Sequence, residues 1–177
     1  MSNRKTNNTQ QQHEQFTGNC RYLGLKLLAE EYQQMIDKAG KNTVGYYEFI
    51  CDIVQAEAMA KRQRRIEYLI KNSRLPQPLK MLADFDFDFQ PKLNRKLIMD
   101  LASLGFIERS ESILFLGDVG VGKSHLSRSI ALMACQGGYK TYYTTCSELI
   151  NDLNAGVYEK TLEKNEKIHQ PGTIVDR

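Results

Sequence analysis

Gly117-Asp118-Val119-Gly120-Val121-Gly122-Lys123-Ser124 decides how this chain is read. The run has the form Gly-x-x-x-x-Gly-Lys-Ser. It stands between the apolar Ile113-Leu114-Phe115-Leu116 and a segment, His125 to Cys135, whose apolar residues at 126, 130, 133 and 134 recur at helical spacing. The flanks predict a short buried strand before the loop and a helix after it, the setting in which such a motif holds nucleotide phosphates. Gly117, Gly120 and Gly122 permit backbone angles closed to other residues, so that successive N–H groups across Asp118, Val119 and Val121 can turn toward phosphate oxygens. A helix beginning near Lys123 adds unpaired N–H groups and the positive end of its dipole. Lys123 can reach β and γ phosphates, and the Ser124 hydroxyl can ligate Mg²⁺. Nucleoside triphosphate, ATP with Mg²⁺, is therefore the expected ligand. His125, in the first helical turn with no partner in the sequence, is expected to pack or face solvent rather than do chemistry.

Composition bounds what surrounds this loop. A chain of 177 residues is long enough for one domain of ordinary size, or for a small domain and an incomplete one. Net charge is +3 with 25% charged residues, too mild a basic excess to imply nucleic acid without local clustering. Cys20, Cys51, Cys135 and Cys146 lack C-x-x-C spacing and have only His13, His125 and His169 beside them, so neither a zinc site nor a disulfide framework is indicated. Reduced thiols, no apolar run of membrane-spanning length and no signal-peptide core lead to the expectation of a soluble, cytoplasmic protein without a membrane partner.

Along the chain, residues 1–19 begin with a polar stretch containing Asn7-Asn8-Thr9-Gln10-Gln11-Gln12 and are expected to be a disordered tail. A helical domain is expected over 20–75, with one helix from Tyr22 to Gly40 and another from Tyr46 to Asn72 forming an antiparallel hairpin. From 61 to 74, at the end of the second and just beyond it, stand Lys61, Arg62, Arg64, Arg65, Lys71 and Arg74 against one acid in that stretch, Glu67. Such a stripe suits DNA phosphates, with Lys61, Arg62, Arg64 and Arg65 as candidate contacts, and suits equally a solvated face. Residues 76–106 are expected to form a linker and a short helix, with Asp84-Phe85-Asp86-Phe87-Asp88-Phe89 extended and its phenylalanines docked on a neighbouring domain. From 107 a parallel-sheet domain is expected. Thr141 to Thr145 is β-rich, and Ser147 is placed to cap a helix through Leu153.

From Leu75 to Asn154 the chain resembles the IstB-like ATP-binding proteins, the helper subunits of insertion-sequence transposition. The resemblance lies in Leu82-Ala83-Asp84-Phe85-Asp86-Phe87, in Phe106-Ile107-Glu108-Arg109 followed by the Gly117–Leu126 run, in Cys135-Gln136-Gly137-Gly138-Tyr139 and in Thr144-Thr145-Cys146-Ser147-Glu148-Leu149. Tyr46-Tyr47-Glu48-Phe49 and Ala56-Glu57 extend it to about residues 20–155. It implies an α/β fold, a helical domain followed by an incomplete P-loop domain of the AAA+ type over 107–177. It further implies an ATPase related to the DnaC-like helicase loaders, self-assembly on double-stranded DNA, and a transposase partner. In the family, a strand ending in Asp-Glu and an arginine finger complete the catalytic apparatus. Here Gln170-Pro171-Gly172-Thr173-Ile174-Val175-Asp176-Arg177 is either a worn version of that strand, with Asp176 at the metal position and Arg177 in place of glutamate, or a disordered tail. The chain is thus expected to be a truncated helper without useful ATP hydrolysis. Two alternatives stay open: a helicase loader, and a DNA- or partner-binding module without nucleotide chemistry.

Overall fold

A computed structural model describes residues 2–41, 44–158 and 173–176. Its elements are α1 (Ser2–Tyr22), α2 (Lys26–Lys41), α3 (Tyr46–Asn72), α4 (Arg95–Ala102), α5 (Gly105–Glu108), α6 (Lys123–Gln136), β1 (Tyr142–Thr145), α7 (Cys146–Tyr158) and β2 (Thr173–Asp176), with a 3₁₀ turn at Leu82–Asp84. The chain divides into two compact units, Met1–Arg64 and Arg65–Arg177, and α3 runs across the division.

In the first unit, α1 replaces the disordered tail that its polar composition suggested. The reason lies in three side chains at spacings of three and four, His13, Phe16 and Cys20, which share one helical face. Phe16 packs on Tyr32 of α2 with ring centroids 4.8 Å apart, His13 hydrogen-bonds the Tyr32 hydroxyl, and Cys20 is buried. Gly24, at φ +76°, ends this helix, and α2 starts at Lys26 rather than at Tyr22. Helix α3 then carries the buried Glu57 to the start of α2, where the carboxylate accepts the Leu28 N–H at 2.9 Å. Arg64, two turns further along α3, donates to the other carboxylate oxygen at 2.8 Å. A side chain from one helix thus satisfies the unpaired N–H groups of another and complements its dipole.

The second unit is built on α6, which buries Leu126, Ile130, Ala131, Leu132, Ala134 and Cys135. Its core joins Ala131, Leu132 and Cys135 to Leu69, Leu75 and Tyr143, with Ile70 and Leu79 packed against them. Each large aliphatic side chain so buried contributes about 1.5–3 kcal/mol. Because Leu69 and Leu75 belong to this core, the boundary expected at 75 falls inside the second unit; the end of α3 is committed to packing on α6. Beyond α3 the Ser73 carbonyl accepts the Tyr143 N–H at 2.7 Å and so ties the chain to β1. On the sheet side, β1 pairs in parallel with β2, Tyr142 opposite Thr173 through Thr145 opposite Asp176.

The α/β class therefore holds in coarse form: helices accompany one parallel strand pair among the described residues. Ile113–Leu116 departs from expectation. It is no strand, and Leu114 and Leu116 are each 79% exposed. An apolar run becomes a strand only where a neighbour supplies ladder hydrogen bonds, and none of the described residues does so here. The cap of α7 also differs. Thr145, not Ser147, forms a reciprocal box with Glu148: the Glu148 N–H donates to Thr145 Oγ1 at 3.2 Å, and the Thr145 N–H to the Glu148 carboxylate at 3.0 Å. Gln170 and Arg177 lie outside the described residues, as do Glu159, Glu163, Glu166 and His169.

The Glu57 arrangement sets a pH dependence. Burial pushes its carboxyl up, but the Arg64 guanidinium and the Leu28 and Leu27 N–H groups outweigh that and hold it below the ordinary glutamate value. A depressed carboxyl gives stability that is fully present above the unfolded-state value of about 4.3 and is lost as pH falls through the lower folded value. Glu57→Gln should cost about 1–3 kcal/mol at neutral pH. Its deficit relative to wild type should shrink below about pH 4, measured by denaturant titration followed with circular dichroism. A deficit independent of pH would show that the carboxylate charge plays no part.

Candidate functional site

The loop ahead of α6 takes the backbone its glycines allow. Gly117, Gly120 and Gly122 have φ of +154°, +86° and +90°, angles that residues with side chains rarely adopt. Gly122 is the residue before the helix, and its carbonyl accepts the Leu126 N–H at 3.0 Å, so the turn of the loop passes directly into α6. Lys123 bends back over the loop, its Nζ donating to the carbonyls of Gly117 at 2.9 Å and Asp118 at 2.7 Å. Asp118 and Gly120 are exposed and Val119 is fully so, while Val121, Lys123 and Ser124 are half-buried. The structure thus brings Gly117 through Ser124 together as one loop with a cation at its centre and a helix N-terminus at its end.

A second layer was not legible as part of the site. Residues 84–89, expected as an extended linker with its phenylalanines docked on a neighbouring domain, leave a 3₁₀ turn that ends at Asp84, and Phe85 lies against the loop. A Cβ on Gly122 would come within 2.5 Å of Phe85 Cε2. His125 packs its ring edge-on to Phe85 at 5.3 Å between centroids, and its Nε2 lies 2.9 Å from the Met81 carbonyl. Of the two placements expected for His125, packed and solvent-facing, the structure has the packed one. Phe85 also meets Phe87 at 4.9 Å, and Arg95 at the start of α4 sits over the Phe87 ring. The available signal was the alternation of phenylalanines, which announces a buried aromatic side without saying what it covers.

The cationic stripe resolves into separate roles. Lys61, Arg62 and Arg65 are exposed on α3, and Arg65 reaches the Gly138 carbonyl at 3.4 Å. Arg64 differs from its neighbours: it is half-buried and its guanidinium is held by Glu57, which makes it part of the helix-capping arrangement. Arg74, at φ +59°, lies over the Tyr142 ring at 4.8 Å. Among the described residues no helix is long and apolar enough to cross a membrane.

A glycine loop with these angles, closing on its own lysine and opening a helix, defines the chain as a P-loop protein. The chain belongs to the family of IstB-like ATP binding proteins, whose sequence profile matches residues 18–170. It is 39% identical over 156 residues to an insertion sequence IS5376 protein of Geobacillus stearothermophilus named for ATP binding, a match covering 88% of this chain and 62% of that relative. A similarly named IS232 protein of Bacillus thuringiensis is 34% identical, covering 88% and 62%. An IS21 protein of Pseudomonas aeruginosa is 36% identical, covering 80% and 53%. The chain thus matches somewhat over half the length of these relatives.

Two glycines separate backbone strain from crowding. A Cβ at Gly120 would meet nothing within 4 Å, so Gly120→Ala adds only the left-handed strain of about 1–2 kcal/mol. Gly122→Ala adds the Phe85 collision to the same strain and should lower the thermal midpoint further. Phe85→Leu in the Gly122→Ala background should recover part of that difference. Equal losses from the two glycine variants would mean that Phe85 does not brace the loop.

Proposed function

We propose that this chain binds ATP with Mg²⁺ at Gly117–Ser124 and serves DNA transposition as an ATP-binding helper that acts with a transposase. The observation that carries the reading is the loop: three glycines at positive φ, an ammonium drawn onto the loop's own carbonyls and a helix beginning at that lysine. The residues fit the ligand. Loop N–H groups and Lys123 would hold the phosphates, and the Ser124 hydroxyl would hold Mg²⁺. When bound, ATP supplies a phosphoanhydride whose occupancy or cleavage can switch an assembly. The insertion-sequence setting of the relatives supports transposition over helicase loading. Self-assembly on double-stranded DNA and a cytoplasmic setting belong to the same proposal.

Lys123→Ala should lose about ten- to a hundredfold in Mg²⁺-ATP affinity by calorimetric titration, the worth of charge-assisted hydrogen bonds to phosphate. Equal affinity in the two proteins refutes the assignment. Hydrolysis is proposed to be negligible, because Arg177 follows Asp176 where the resemblance implies the water-orienting glutamate. Phosphate release should match that of Lys123→Ala, with or without DNA. Turnover clearly above that control would assign the missing carboxylate to Glu159, Glu163, Glu166 or Asp176.

DNA contact is proposed through Lys61 and Arg62, with Arg65 assisting, since these cations are exposed and Arg64 is engaged by Glu57. Lys61→Gln with Arg62→Gln should weaken binding to unrelated duplex sequences alike. It should also reduce the slope of log affinity against log salt by about two, close to one per phosphate contact. Arg64→Gln should instead lower the stability of the first unit. An unchanged slope in the double variant would make the stripe a solvated face.

A further inference from the structure

Three contacts converge on the start of α6 from the segment ahead of α4. The Met81 carbonyl meets His125 Nε2 at 2.9 Å, the Phe85 ring fills the space above Gly122, and Phe85 and His125 meet edge to face. Gly122 and His125 flank Lys123 and Ser124, the two side chains assigned to phosphate and metal, so the segment grips the loop on both sides of them. The Asp86 carboxylate caps the following turn by accepting the N–H groups of Asp88 and Phe89 at 2.9 and 3.2 Å, which gives the segment a defined shape of its own. Through Phe87, under the Arg95 guanidinium, the same segment continues to α4, which packs on α6.

We infer that Met81–Phe87 is a positioning clamp for the phosphate loop, in which His125 anchors the segment and Phe85 braces Gly122, so that nucleotide occupancy and the placement of this segment are coupled. The coupling rests on the ATP assignment made above; the brace does not. A neutral His125 with hydrogen on Nε2 donates to the Met81 carbonyl, so the anchor needs a donor at that position and no charge. The Phe85 ring excludes any movement of Gly122 toward it. A loop whose glycines would otherwise sample many backbone states is thereby held near the angles that phosphate binding uses. Binding a multiply charged ligand tightens the loop further, and the tightening has to be felt by the ring lying on it.

The test uses the full chain and hydrogen exchange read by mass spectrometry, with Mg²⁺-ATP as the probe. Without nucleotide, Phe85→Ala and His125→Leu should each raise exchange at amides 117–124 severalfold while leaving amides 128–135 unchanged. His125→Gln, which can place a donor near the carbonyl, should restore protection. With nucleotide, wild type should slow exchange at both 117–124 and 82–90, whereas His125→Leu should lose about three- to tenfold in ATP affinity and show no change at 82–90. Unaltered exchange at 117–124 in both nucleotide-free variants overturns the brace. Protection by ATP confined to 117–124 overturns the coupling. If wild type does not bind Mg²⁺-ATP at all, both the ATP assignment and the coupling fall, while the nucleotide-free comparison still decides whether the brace exists.

Discussion

Gly122 has to turn the chain from loop to helix in a left-handed conformation while an aromatic ring occupies the space a Cβ would need. Two separate demands, one on backbone angle and one on space, meet at that residue, and only glycine satisfies both. Everything downstream depends on the turn. It sets the first residue of α6 and with it the phase of the helix, hence that Ala131, Leu132 and Cys135 are the side chains that meet Leu69, Leu75 and Tyr143. It also sets where Lys123 emerges relative to the carbonyls it holds. Site and core of the second unit are therefore consequences of one local constraint, the kind of agreement between local and global demands that lets a sequence specify one structure.

The parts of this arrangement that a sequence makes legible are those written in short, fixed spacings. Eight residues from Gly117 to Ser124 carry the loop, and the 3.6-residue period carries α3 and α6, because both signals reside in neighbours along the chain. The cap of α7 was equally available, since Thr145 stands three residues before Glu148 as the reciprocal box requires, whereas Ser147 adjoins it. What spacing could not convey was partnership. Ile113–Leu116 has the composition of a buried strand, but a strand exists only with a partner. The polar start of the chain looked unable to fold because its few anchoring side chains, Phe16 and Cys20, are diluted among glutamines and asparagines. Their worth depends on Tyr32, a residue beyond the helix.

Arg64 shows the same limit for charge. Among Lys61, Arg62, Arg64 and Arg65 it is indistinguishable by type, and a count of positive charges treats all four as one surface. Burial separates them. Glu57 is buried with its carboxylate at the start of α2, and a buried carboxylate is costly unless paired, so the cation two turns away on the same helix is drawn to it. The effective charge of the stripe available to an outside partner is smaller than its formula, and its centre shifts toward the exposed Lys61 and Arg62.

The lysine folded over its own loop changes what the site asks of an incoming ligand. An ammonium has three N–H donors, and here two are given to the Gly117 and Asp118 carbonyls. A weakly charged anion arriving at the loop meets a cation whose hydrogen bonds are mostly spent, and it gains little by taking the remaining one. A polyanion that offers several oxygens at once can replace those internal bonds and still come out ahead. The loop is therefore its own competitor: a ligand with one or two oxygens offers Lys123 little beyond what the Gly117 and Asp118 carbonyls already supply, and one with several offers more.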